Sequence, residues 1–198
     1  TAAQASDRTL LWVGGLLTLV GFGAKAGAFP LHIWLPTAHP AAPAPASAVL
    51  SGVITKTGIY GVAVLSTTLF LHDGSWGAML AVIGAVTMVL GAVLALCSVD
   101  LKRTLACSSV SQIGFILVGL AMQLGSHNAL AVDGTVLHIV NHSLIKLALF
   151  PAAGVIHLST HSFDLNDIRG FGRNKPMLAL IMGIPMLSLA GLPLLNGY

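Results

Sequence analysis

Apolar residues in this chain run on rather than alternate. Six stretches stay largely apolar for about 20 residues or more, roughly 9–29, 46–71, 76–98, 104–124, 130–158 and 177–198. About 20 residues of helix cross the ~30 Å hydrocarbon core of a bilayer. Membrane strands would show segments of about ten residues with alternating polarity, and the sequence has none. Backbone groups in lipid must also pair within their own segment. The pattern predicts an all-α, polytopic membrane protein with about six transmembrane helices. Between the first two stretches, "FPLHIWLPTAHPAAPAPAS" carries Pro30, Pro36, Pro40, Pro43 and Pro45. Proline removes a donor and clashes with the preceding turn, so this connection is expected to be extended or broken.

Composition strengthens that picture. With 56% hydrophobic residues, 8% charged residues and a mean hydropathy of +0.90, the 198 residues cannot clothe a soluble globule. The net charge of +3 is too small and scattered for nucleic-acid binding. Cys97 and Cys107 lack metal or redox spacing and read as small apolar residues. No initiator Met or signal peptide opens the chain, and it stops within an apolar segment. Both ends read as cuts, and residues 1–198 as a fragment of a single transmembrane domain.

Six crossings put the connections 30–45, 99–103 and 159–176 on one side, with Lys102, Arg103, Arg169, Arg173 and Lys175. The other side has only Arg8. The positive-inside rule makes the first side cytoplasmic, and the Lys102–Arg103 pair reads as an interfacial anchor. The first stretch is interrupted near 27–36, at Pro30, and the sixth near 190–198, at Pro193. Such breaks at matching places in two inverted halves point to a transport pathway, although Gly and Pro are also common in transmembrane helices.

Lys25, Lys56 and Lys146 fall inside apolar stretches, where each central charge costs about 2.5–3.5 kcal/mol. Snorkelling to the interface is one reading, most natural for Lys25 near the end of its segment. The other is function. In "TVLHIVNHSLIKLALF", His138, His142 and Lys146 drift by about 80° and span ~12 Å, forming one stripe of titratable groups on a helix. Histidines could be structural here, hydrogen-bonded to neighbouring helices, or a His-x-x-x-His zinc pair, which the absence of nearby Cys or Glu opposes. A proton relay fits the chemistry best, because histidine changes charge near neutral pH and buried lysine releases its proton more readily. Two ammonium groups about 7 Å apart repel by ~2.4 kcal/mol at an effective dielectric near 20, enough for one charge to move the next proton. Ser108, Ser109, Ser111 and Gln112 either glue helices or line a wetted path.

The stretches "GFGAKAGAFPLHIWLPTAHPAAPAPASAVLSGVITKTGIYG", "DLKRTLACSSVSQIGF", "HIVNHSLIKLALF" and "AGLPLLNGY" resemble the proton-translocating antiporter-like subunits of complex I, shared with Mrp antiporters and membrane-bound hydrogenases. The resemblance covers essentially the whole chain. It implies two inverted five-helix repeats, of which these segments are core helices 7 to 12. It further implies that Lys25 is the lysine of the first broken helix, partnered by a glutamate on an earlier helix, and that Lys56 is the connecting residue. His138, His142 and Lys146 would belong to the second half-channel. Thr37 stands where the family often has Asp, and the six acidic residues are all aspartate.

The leading expectation is a proton-translocating or cation/proton-exchanging subunit of a redox-driven complex in a prokaryotic plasma membrane, beside other membrane subunits. The chain has neither a cysteine cluster nor a dinucleotide fingerprint, so no cofactor and no chemical catalysis are expected in it. Alternatives are an Mrp-type sodium/proton antiporter subunit, a scaffold that moves no ions, and a metal enzyme using His138 and His142.

Overall fold

The computed structural model describes residues 2–71, 73–126, 129–193 and 195, with the side chains of 2–6, 125, 126 and 129 outside the description. The elements are α1 (Ala2–Ala26), α2 (Trp34–Ala41), α3 (Ala44–Val49), a π-helical turn (Leu50–Ile54), α4 (Thr55–Leu69), α5 (Gly74–Leu96), α6 (Leu101–Ser126), α7 (Ala129–Thr160), α8 (Phe171–Asn174) and α9 (Pro176–Leu189). Among the described residues the only β-pairing is an isolated bridge between Asp100 and Asp164. The chain is an all-helical polytopic membrane protein. Five runs are long and apolar enough to cross a membrane: Asp7–Ala26, Ala44–Leu69, Gly74–Leu96, Leu101–Leu124 and Leu130–Thr160. The sixth, α9, has 14 residues. At about 21 Å it is shorter than the hydrocarbon core.

Both expected interruptions have the same local cause. α1 stops at Gly27, which takes φ 84°, while the amides of Gly27 and Ala28 bond back to Ala24 O and Gly23 O at 3.1 and 2.9 Å. α9 stops at Gly191, φ 75°, with Gly191 N to Ser188 O at 3.0 Å and Leu192 N to Leu187 O at 3.3 Å. These are Schellman stops, which need a left-handed residue that glycine adopts without a Cβ clash. Pro30 and Pro193 follow soon after each and prevent the helix from continuing. Residues 194 and 196–198, part of the second expected break, lie outside the described residues. At the first break, side chains occupy backbone groups freed by the interruption: Trp34 Nε1 donates to Ala24 O at 2.8 Å and Phe29 N to Thr87 Oγ1 at 3.1 Å.

The proline-rich connection is broken, as expected, rather than extended throughout. It forms α2 and α3, with Pro36 and Pro45 in their first turns, where a missing amide donor costs little, and Pro40 inside α2 near its end. Lys102 is not an exposed anchor. Asp100 caps α6 by accepting from Arg103 N at 2.8 Å, so the helix starts earlier than apolarity alone suggested. Lys102, in the first turn of α6, is 3% exposed. Its ammonium donates to Ala42 O at 2.6 Å and lies 4.5 Å from the Phe163 ring centre.

Small residues let the long helices meet closely. A Cβ on Gly91 of α5 would overlap the Ser111 backbone, and one on Gly114 of α6 the Met88 backbone. α1 and α4 meet likewise, where a Cβ on Gly58 would lie 2.6 Å from Ala26 N. At one end, Arg8 pairs with Asp73 at 3.6 Å. At the other, Leu101 N bonds Phe163 O and Leu165 N bonds Val99 O, each at 2.9 Å. Lys102 also ties that end to the α2–α3 connection. The connections thus sort into the two sets that alternating crossings require.

Candidate polar path between α4, α6 and α7

The π-helical turn lies where α3 gives way to α4. Its extra residue shifts the hydrogen-bond register, so Thr55 N reaches back to Leu50 O. Ser51 O is left accessible to side chains and accepts from Thr55 Oγ1 at 3.1 Å and from Lys56 Nζ. Lys56 Nζ also lies 2.8 Å from His142 Nδ1 on α7. Two residues that sequence alone left 86 positions apart are thereby in contact. With Nδ1 accepting, the neutral His142 ring carries its proton on Nε2.

Lys146 is one helical turn beyond His142 and fully buried. Its ammonium donates to Leu105 O at 2.8 Å and to Ser108 Oγ at 2.6 Å, both on α6. Ser109 Oγ also donates to Leu105 O at 3.0 Å, and its hydroxyl contacts Ser51 Oγ at 2.8 Å. A continuous polar line therefore runs from Lys146 through Leu105 O, Ser109 and Ser51 to Lys56 and His142. Within it the Leu105 and Ser51 carbonyls can accept hydrogen bonds but cannot carry a proton onward.

Beyond His142 the stripe continues to His138, with ring centres 6.3 Å apart and planes inclined by 4°. His138 Nε2, His142 Nε2 and Ser188 Oγ are buried without a partner. All three residues line one cavity of about 270 Å³, together with Gln112, Asn141 and Gly191. A polar cavity of that size takes several water molecules at about 30 Å³ each. A second groove, of about 410 Å³, shares His138 and Phe115 with it and runs past Gly119 and Thr135 to Met122 and Leu130.

Four of the five sequence-selected residues, Lys56, His138, His142 and Lys146, thus fall on one path. Lys25 does not. It is exposed in the last turn of α1 and makes no hydrogen bond or ion pair with the described residues. No group of three or more His, Cys, Asp or Glu among the described residues is placed to hold a metal. Sequence reasoning passed over His39. This residue is fully buried on α2, with neither ring nitrogen partnered and its ring stacked on Phe150 at 4.5 Å. Its signal was faint, since "AHP" in a proline-rich connection reads as a surface turn.

Comparison with known proteins places the geometry in a lineage. Residues 2–198 match the transmembrane family described as NADH:quinone oxidoreductase/Mrp antiporter. The chain is 41% identical over 210 residues to hydrogenase-4 component B of Escherichia coli K12, covering 98% of this chain and 31% of that protein. It is 37% identical over 194 residues to formate hydrogenlyase subunit 3 of the same organism, covering 92% and 31%. Among solved structures, the Mrp complex of Dietzia sp. DQ12-45-1b aligns with a TM-score of 0.88 at 30% identity, over 96% of this chain and 35% of the matched one. The chain spans about a third of the length of these relatives. It belongs to the antiporter-like membrane subunits of the NADH:quinone oxidoreductase/Mrp antiporter family.

Proposed function

We propose that the protein containing this chain relays protons across a prokaryotic plasma membrane, as a non-redox subunit of a redox-driven complex of the complex I or hydrogenase type. Lys25, Lys56, His138, His142 and Lys146 are the relay groups, and the connections 30–45, 99–103 and 159–176 face the cytoplasm. The observation that carries this reading is the Lys56–His142 contact of 2.8 Å. A lysine donating to an imidazole nitrogen has a ready acceptor for its proton, and His142, whose other nitrogen is buried without a partner, lines the polar cavity. Water in that cavity would connect His142 to His138, and the adjoining groove leads from His138 toward the face opposite the cytoplasmic connections. Lys146, held by acceptors on α6, acts as the charge whose protonation raises or lowers the cost of a proton on Lys56. Lys25 works with a carboxylate from a part of the protein outside this chain. Similarity to hydrogenase-4 component B and formate hydrogenlyase subunit 3 favours a redox-driven complex, with hydrophilic redox subunits and further membrane subunits as partners.

The test is Lys146→Ala in the full-length protein within its complex. Proton translocation is expected to fall by about tenfold or more, with subunit content unchanged. Translocation at the unmodified rate overturns the relay. The structural match to an Mrp complex keeps a second reading in view, a sodium/proton antiporter subunit. In that case a sodium gradient alone drives proton movement.

A further inference from the structure

His39 has no part in the path described above, and its surroundings do not explain it as packing. Its ring is fully buried against Phe150, with centres 4.5 Å apart and planes inclined by 13°. Neither Nδ1 nor Nε2 has a partner. Two polar atoms have been stripped of water with no hydrogen bond in return, a loss that an apolar ring in the same place would avoid. What the position offers is proximity to charge. Phe150 lies one turn beyond Lys146 on α7. Ala42, three residues after His39, accepts from Lys102.

Pro40, the residue after His39, lines a cavity of about 540 Å³ at the connection end of the molecule, together with Pro43, Lys102, Pro151, His157 and Phe163. The His157 ring stacks on Phe163 at 4.0 Å, and its Nδ1 is a further buried nitrogen without a partner. Lys102 and His157 thus give the cavity beside the α2–α3 connection its polar groups, while the Phe150 ring on which His39 stacks is one turn from Lys146.

We infer that His39 is an additional relay group, passing protons between this cavity, by way of Lys102, and Lys146. The inference rests on the proton-relay reading above. A neutral imidazole takes a proton on its bare nitrogen and gives up the one on the other. Its charge is unchanged after the transfer and its tautomer is reversed, and rotation of the ring restores the starting state. Because Leu105 O cannot carry a proton, this route supplies Lys146 without passing through that carbonyl.

The experiment uses the full-length protein in its complex, reconstituted in vesicles, with a potassium diffusion potential driving protons and a pH-sensitive dye reading them. His39→Gln, which keeps polarity but cannot titrate, is expected to lower proton flux by about tenfold or more, as does Lys146→Ala. Unmodified flux in His39→Gln beside a slow Lys146→Ala overturns the inference and leaves the relay standing. Unmodified flux in both overturns the relay and the inference with it. If His39→Gln fails to assemble, His39→Ala is assayed with small rings added. Recovery with imidazole but not with the weakly basic pyrazole supports proton carriage. Equal recovery with either ring means packing alone and overturns the inference.

Discussion

Lys146 shows how a lysine amine is held inside an apolar bundle: two oxygens of α6 accept from its Nζ, and it is fully buried. Its place on a stripe with His138 and His142 follows from 100° per residue within one helix, so it was legible in the sequence. Its partners were not, because Leu105 O and Ser108 come from a helix whose crossing with α7 is set by packing. His39 is the sharper case. It lies between the first two membrane-spanning segments, and burial first, then the charges of Lys146, Lys102 and Lys56, lower its pKa from 6.5 to about 4. The folded protein holds the ring neutral, so the unfolded chain takes up this proton first as acid is added. Its contribution to stability is whole above pH 6.5 and is lost as pH falls toward 4, by ~3 kcal/mol at most. Over that window the unfolding midpoint in detergent is expected to drop further for the unmodified protein than for His39→Gln. Parallel profiles would show that the site does not hold the ring neutral.

Among the elements, local chemistry and close packing divide the work. The stops of α1 and α9 are written in short stretches, "KAGAF" and "LAGLP", because a left-handed glycine and a nearby proline act within a few residues. The π-helical turn is not written that way. Nothing in "LSGVI" disfavours an ordinary α-turn, and the bulge is seen only where Ser51 meets Ser109 and Lys56 meets His142. The α2 and α3 helices were likewise hidden by prolines whose tolerated positions depend on where each helix begins. Between α5 and α6, contact rests on glycines with no room for a side chain. Gly91→Val and Gly114→Val are each expected to push the helices apart and destabilise the protein by about 1–3 kcal/mol or more. A lowered thermal midpoint in detergent checks this, and an unchanged midpoint would mean that the two helices do not meet there.

At the scale of the molecule, the connections gather into two ends. Arg8 and Asp73 mark one. The Val99–Leu165 and Leu101–Phe163 backbone bonds, with Lys102 reaching Ala42, mark the other. The excess of Lys and Arg in the second set predicts that it is cytoplasmic. In vesicles of known orientation carrying Cys97→Ser to remove the exposed native thiol, a membrane-impermeant maleimide should label Arg169→Cys only from the cytoplasmic face. Arg8→Cys should be labelled only from the opposite face. The reverse pattern would invert the proposed direction of the path, and labelling of both from one face would contradict the fold.

The sequence by itself determined the class of the protein, five membrane-spanning runs, both helix stops and the titratable stripe on α7. Each depends on hydropathy or on interactions within a turn or two of one helix. Only the tertiary structure decided that Lys56 meets His142, that Lys102 points inward, that His39 is buried and that Lys25 stands apart from the other four. Those outcomes depend on which faces of distant helices meet, and the meeting is set by small-residue packing and helix caps acting together rather than by any local pattern.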